Sequence, residues 1–218
     1  MEYKNCPNCA KKLNGLMVSK YIVKSTTTDF INSFHEPNAE AYCNECAEAL
    51  IRTYQEANEN KKQALIKDLN KDLHVIPIVT THSPLNWQYG ILDMITTQSV
   101  SGTGFLTEIT SSWTDITGGQ SSSMTNKLSS GENICKSRLR YQCALLGGNA
   151  IIATDIDYSE VGGGKGMLMV CMAGTAINLH SIEVIFKNKT EQLAKIKEVV
   201  DELKSLLQIR YPNLEYAL

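Results

Sequence analysis

The sequence lacks both a long apolar run and an excess of one charge. Of its 218 residues, 21 are Lys or Arg and 23 are Asp or Glu, so the formal net charge is −2. Broad binding to a phosphate backbone requires a clear basic excess, and this class is therefore disfavoured. An apolar stretch such as residues 167–173 is far shorter than the roughly 20 residues of a membrane-spanning helix. The start of the chain has no signal-peptide core, and we expect a soluble, cytoplasmic protein without membrane contact.

Cysteine is present in an odd number, and four of the seven cysteines form two C-x-x-C pairs. The pairs are Cys6 with Cys9 and Cys43 with Cys46. Each C-x-x-C turn directs two thiolates at one point, so two turns complete a tetrahedral site for Zn²⁺. In a reducing compartment this pattern favours metal ligation over disulfides. Four cysteines leave no open position for a substrate, and we predict a structural zinc site in a zinc-ribbon or treble-clef-like module.

The hydrophobic pattern predicts an α+β fold in four segments. Residues 1–50 form the zinc-binding module, with one or two short strands between the cysteine pairs, and residues 51–73 form a linker of one long helix or two joined helices. Residues 74–182 form an antiparallel sheet with one long helix. Residues 183–218 form a strand and an amphipathic helix, because apolar residues recur there at helical spacing after a capping-box sequence at 188–191.

Within residues 74–182 the predicted elements follow from alternation, helical period and glycine stops. They are an edge strand at 75–81 containing Pro77, a strand at 91–100, a helix at 124–146 stopped by Gly147 and Gly148, and strands at 150–158 and 167–177 joined by a hairpin at 162–165. The last strand is apolar or small on both faces, and such a strand must be covered on both sides. The C-terminal helix or another subunit must supply part of this cover, which favours a homo-oligomer.

Two carboxylates are candidates for a second site. Asp155 and Asp157 lie two residues apart in a predicted strand, so both project to one face beside Ile151 and Ala153. They could bind a cation together or lie at a subunit boundary. The alternative interpretation is a strand whose acidic face points to solvent while its other face packs on the core. A carboxylate pair without a third ligand does not distinguish these alternatives.

The second half of the chain resembles the YbjQ family, whose members are described as heavy-metal-binding proteins. The resemblance rests on the order of four motifs: Leu145–Ala150, Asp155–Tyr158, Met167–Val170 and Ala173–Ala176. It implies a small dodecin-like subunit, with one helix on an antiparallel sheet, that assembles into pentameric rings, and no enzymatic reaction accompanies it. This chain departs from the family at Gly148, where Ala is usual, and by its added cysteine module and C-terminal helix.

The expected function is that of a non-enzymatic homo-oligomer that binds metal, a small ligand or a protein partner. One alternative is a metal-dependent enzyme that uses Asp155 and Asp157, with His82 or Glu108 completing the site. The other is a zinc-ribbon adaptor for nucleic acid. The basic residues available to it are Lys11, Lys12, Lys20 and Lys24, but the acidic balance of the chain disfavours this role.

Overall fold

A computed structural model of the chain describes residues 3–15, 18–101, 123–161, 167–180, 182 and 188–214. The fold is α+β. The elements are strands β1 (Asn14–Gly15) and β2 (Val18–Ser19), helices α1 (Ser25–Asn32) and α2 (Asn44–Asp72), a 3₁₀ turn (Leu73–Val75), strand β3 (Tyr89–Ser101), helix α3 (Ser123–Leu145), strands β4 (Ala150–Val161) and β5 (Met167–Leu179), and helix α4 (Thr190–Leu207).

These elements belong to two compact units. The first unit comprises Met1–Leu65 and Ser205–Leu218, and the second comprises Ile66–Lys204. The four-segment division at residues 50, 73 and 182 stays a prediction. The strand expected after residue 182 and the hairpin at 162–165 lie outside the described residues.

The first unit contains a helix where the sequence predicted only short strands. Helix α1 follows Lys24 and buries Thr27, Thr28 and Ile31. The β-branched run at 26–28 favours a strand by propensity, but tertiary burial of one helical face overrides that preference. The following helix, α2, is continuous over 29 residues, so the polar block at 58–62 does not divide it.

Aromatic side chains pack beside the core of the first unit. The rings of Phe34 and Tyr54 stack in parallel with centroids 4.0 Å apart, and Phe30 meets both rings edge-on. Tyr211 joins Phe30 and Tyr54 through edge-on contacts. Its hydroxyl also accepts a hydrogen bond of 3.0 Å from the side-chain amide of Asn58 on α2. The C-terminal segment therefore contributes to the packing of the first unit.

The sheet of the second unit has the order β3-β5-β4, and both pairings are antiparallel. This confirms the three strands predicted at 91–100, 150–158 and 167–177. The segment containing Pro77 lies along the free edge of β4, where Ile78 and Ile151 form an isolated parallel bridge. The N–H of Val79 donates to the carbonyl of Ile151 at 2.9 Å. An edge position is where a proline inside a strand pattern is tolerated.

A β-bulge in β4 places the acidic pair on a different face of the sheet from the one that the sequence predicts. Ile152 pairs with Thr175, whereas Asp155 pairs with Ala173, so β4 contains one extra residue between them. Ala153 adopts a left-handed backbone conformation there, with φ 52°. Because a bulge reverses the alternation of side chains, Asp155 and Asp157 lie on the face opposite to that of Ile151. The expectation that these carboxylates neighbour Ile151 is therefore wrong.

Helices α3 and α4 pack in the same hydrophobic cluster as one face of the sheet. The buried members from the helices are Cys135, Leu139, Cys143, Leu193, Ile196 and Val200, and those from the sheet include Ile95, Ile151, Val170, Met172 and Ala176. The predicted glycine stop of α3 is present: Gly147 has φ 83°, and the Gly148 N–H donates to the Cys143 carbonyl at 2.8 Å. None of the described helices combines the length and apolarity needed to cross a membrane.

Candidate metal centre

The first cysteine pair lies in a tight turn closed by backbone hydrogen bonds. An antiparallel bridge joins Asn5 to Lys12, and the Cys6 N–H donates to the Lys11 carbonyl at 2.9 Å. Inside the turn, the Ala10 N–H donates a hydrogen bond to the Cys6 carbonyl at 2.8 Å, and Ala10 itself has φ 58°. The left-handed residue after the second cysteine reverses the chain. These contacts close the turn around the first cysteine pair.

The second cysteine pair lies at the beginning of α2. Cys43 forms an antiparallel bridge with Ile22 immediately before the helix begins at Asn44. The Ala47 N–H donates to the Cys43 carbonyl at 2.9 Å, which closes the first helical turn. Because Cys46 follows Cys43 by three positions across that turn, both side chains lie on one side of the helix terminus. The positive end of the helix dipole is therefore next to both sulfur atoms.

The four cysteine side chains converge on one point. Their Sγ atoms all lie within 4.8 Å of one another, and the Sγ atoms of Cys9 and Cys43 are 4.0 Å apart. Four thiolates at about 2.3 Å from a tetrahedral Zn²⁺ would lie about 3.8 Å from each other. The donor set thus fits such an ion in number, chemistry and spacing. Cys6 and Cys43 are buried and the other two are half-buried, so the centre is shielded from water.

Burial and backbone hydrogen-bond donors have opposing effects on the pKa values of the thiols. Burial acts to raise the pKa of Cys6, but backbone N–H groups of Cys9, Cys43 and Asn8 outweigh it and lower this pKa to about 7. One of these donors is the Cys43 N–H, 3.3 Å from the Cys6 Sγ. Burial raises the pKa of Cys46 to about 12. A bound cation would favour the thiolate form of all four groups.

Lys20, one of the basic residues that the sequence places beside the first cysteine pair, forms an ion pair next to the second pair. The Lys20 Nζ lies 2.5 Å from a carboxylate oxygen of Glu45, between Cys43 and Cys46 in the sequence. The Lys20 side chain is only 13% exposed, so the ion pair is partly removed from water. The sequence showed Lys20 only as one of several basic residues, because nothing in its spacing indicates the pairing across 25 positions.

The other candidate ligands do not join this centre. Among the described residues, the four cysteines are the one group of three or more His, Cys, Asp or Glu side chains that could hold a metal ion. Asp155 and Asp157 are exposed, and Asp157 Oδ1 accepts a hydrogen bond of 2.9 Å from the Tyr158 N–H. His82 is exposed, and Glu108 lies outside the described residues. A second cation or interface site at the two aspartates stays a prediction.

Comparisons with known proteins concern the second unit. The profile of the YbjQ family, described as "Putative heavy-metal-binding", matches residues 76–180. A UPF0145 protein of Carboxydothermus hydrogenoformans is 35% identical over 89 residues, which are 41% of this chain and 81% of the relative. Another from Actinobacillus pleuropneumoniae serotype 5b is 35% identical over 78 residues, which are 36% of this chain and 74% of the relative.

A crystal structure of a protein with unknown function from Pediococcus pentosaceus is 21% identical, with a TM-score of 0.35, and the match covers 48% of this chain and 97% of that chain. The cysteine centre lies outside the residues matched by the family profile. Because the match at 35% identity spans most of the relatives' own length, the chain belongs to the YbjQ family.

Proposed function

We propose that the chain is a non-enzymatic, metal-binding homo-oligomer whose cysteine module holds one structural Zn²⁺ ion. The observation that carries the metal assignment is the convergence of four Sγ atoms within 4.8 Å. Two local turns bring these atoms together, and all four tetrahedral positions would be filled by protein ligands. A closed site of this kind stabilises a fold and has no open position for a substrate.

Zinc is the metal that this donor set and its surroundings favour. Four thiolates in tetrahedral geometry suit zinc or iron among the common metals. A short N-terminal module with two C-x-x-C turns, the second at the beginning of a helix, is typical of structural zinc sites. The charge of four thiolates exceeds that of the ion by two, and the N-terminus of α2 stabilises this negative charge.

The metal assignment predicts one zinc per chain in the purified full-length protein. We expect elemental analysis to find zinc in that ratio, and Cys46→Ser to lose most of it because a structural tetrahedral site needs its fourth thiolate. Cys171→Ser is the matched control, since Cys171 lies in β5, outside the cysteine centre, and should keep the zinc. Iron in place of zinc, or native protein without metal whose four thiols are freely alkylated, would contradict the assignment.

A second copy of the chain is the partner that we propose for the sheet face opposite α3. On this face Met94 and Ile91 of β3 are 70% and 71% exposed, and Val100 is 41% exposed. Their partners on β5 include Met169, opposite Val100. Exposed apolar side chains on a sheet are typical of an interaction surface, and the acidic pair of β4 is exposed on the same face. The family resemblance favours a pentamer as the first expectation for the assembly, and ligand or partner binding by that assembly is the wider role that we propose.

The oligomer proposal can be tested with a charge placed on the exposed face. We expect multi-angle light scattering of the wild-type protein to give a multiple of the chain mass. Met94→Lys should shift the measured mass toward that of the monomer, because a lysine ammonium would be buried without a partner at the subunit contact. Leu85→Lys is the control, since Leu85 is 89% exposed in the loop before β3. A monomeric wild-type protein at micromolar concentration would contradict the proposal.

A further inference from the structure

Arg140 of α3 is a half-buried cation that forms one hydrogen bond with the residues that the structure describes. Its Nε–H donates to the carbonyl of Ile76 at 2.9 Å, and Ile76 is completely buried just after the 3₁₀ turn. The guanidinium therefore lies next to the residue that connects that turn to the edge segment containing Pro77. Burial lowers the pKa of Arg140 from its ordinary value. An arginine remains charged in spite of this, since its ordinary pKa is above 12.

The acidic groups of α3 and of the last turns of α2 are already engaged. On α3, the Glu132 carboxylate accepts from the Lys136 ammonium and from the Tyr158 hydroxyl, each at 2.9 Å. In the last turns of α2, Asp68 pairs with Lys71 at 2.7 Å, and Asp72 pairs with Lys195 at 2.6 Å. Across the described residues, no carboxylate lies within ion-pair distance of Arg140.

The guanidinium is partly buried, but its two Nη groups still reach solvent. Partial burial reduces the screening of the charge, so an oxyanion is attracted more strongly than at a fully exposed arginine. The two Nη groups of Arg140 carry four N–H donors, and none of them has a partner among the described residues. Their planar fork matches the spacing of two oxygen atoms in a carboxylate or phosphate group. A lysine would offer a point charge, whereas this geometry selects a bidentate oxyanion.

We propose that Arg140 is the anchor of a binding site for a small oxyanion, a phosphate or carboxylate group, free or carried by a small molecule. The ligand would accept from both Nη groups while Nε remains bound to the Ile76 carbonyl. Because the Ile76 carbonyl already holds Nε, less side-chain freedom is lost on binding. The proposal concerns the helix side of the second unit and is independent of the cysteine centre.

The chain contains a matched control on the same helix. Arg138 also donates to a backbone carbonyl, from Nη1 to Gln98 at 2.8 Å, but its side chain is exposed. An exposed guanidinium is neutralised by water and salt, so it should bind a small anion weakly. Comparison of the two arginines therefore separates a specific site from general attraction to positive charge.

The test is isothermal titration calorimetry of the full-length chain at constant ionic strength, with inorganic phosphate and sodium acetate as separate probes. We expect saturable binding of at least one probe, weakened about tenfold or more in Arg140→Gln because a charged hydrogen-bonded pair is lost. Arg138→Gln should bind as the wild type does. Circular dichroism checks folding, and if Arg140→Gln does not fold, Arg140→Lys retains the charge without the fork and should also bind more weakly.

Three results would overturn the proposal. The first is a wild-type protein that binds neither probe, and the second is equal binding by the wild type and the folded Arg140 variant. The third is a loss of binding in Arg138→Gln as large as that in Arg140→Gln, which would show general attraction to positive charge and not a specific site.

Discussion

At the scale of single residues, Gly148 shows how one position is matched to its neighbours. A Cβ atom added there would lie 2.7 Å from the Cys143 Sγ, and 3.0 Å from both the Ile177 carbonyl oxygen and the Leu92 Cδ1. The first distance is far below van der Waals contact. The glycine is required by close packing after α3.

Gly148→Ala should therefore destabilise the second unit. We expect the free energy of unfolding to fall by about 1–3 kcal/mol, the usual cost of overpacking, since Cys143 and the Ile177 backbone are buried. Chemical denaturation monitored by circular dichroism measures this change. The double variant Cys143→Ala with Gly148→Ala should recover part of the loss, because it removes the closest atom. Unchanged stability in the single variant would show that the neighbours move aside freely.

Residue-level prediction succeeded where the determining contacts are local. The C-x-x-C turns bring each cysteine pair together within a few residues, so spacing alone indicates their convergence. Asp157 differs, because its carboxylate accepts from the N–H of Tyr158, the next residue of an edge strand. Edge strands often satisfy or block their exposed backbone groups in such ways. The sequence could not distinguish this role from cation binding without the strand order.

At the scale of elements, helix α1 and the bulge in β4 were missed for different physical reasons. Helical spacing is present at Thr27, Ile31 and Phe34, which are separated by four and then three positions. The β-branched run at 26–28 indicates a strand instead and obscures this pattern. The bulge has no comparable signal in the sequence. It depends on pairing with a distant segment: the Ala153 N–H donates to Thr81 and the Thr154 N–H to Val79, each at 3.1 Å. Register changes of this kind are consequences of tertiary contacts.

The C-terminal helix was predicted correctly because its pattern is long and regular. Helix α4 buries Leu193, Ile196, Val200 and Leu203. The first three of these belong to the main cluster of the second unit, together with Leu69 and Leu73. The helix thus covers its own unit, one of the two alternatives that the sequence left open.

Truncation of the apolar face of α4 should destabilise the second unit strongly. Ile196 is 4% exposed, so Ile196→Ala should lower the free energy of unfolding by about 2–5 kcal/mol through lost burial and the remaining cavity. The next residue, Lys197, is exposed and provides the control, since Lys197→Ala should change stability by less than about 0.5 kcal/mol. Urea denaturation compares the two variants. Similar stability for both would mean that α4 contributes little to the cluster.

At the scale of the whole molecule, the sequence indicated the contents of the two units better than their limits. The cysteine module and the sheet were recognisable from motifs and alternation. Tyr211, however, packs with the aromatic residues of the first unit, and its hydrogen bond to Asn58 spans 153 positions. No local pattern indicates which unit such a terminal segment joins. Contacts between distant positions decide it, as they decide the bulge.

Removal of the metal should affect the two units unequally. All four cysteines belong to the first unit, and in small zinc modules much of the folding free energy comes from the bound ion. After treatment with a chelator, native-state hydrogen exchange should therefore show that backbone amides around the two cysteine pairs and at the start of α2 lose their protection. Amides of β5, paired on both sides between β3 and β4, should keep theirs and serve as the internal control. Loss of protection in both units to the same degree would show that they unfold as one cooperative structure, and unchanged protection in the first unit would show that its fold does not depend on the ion.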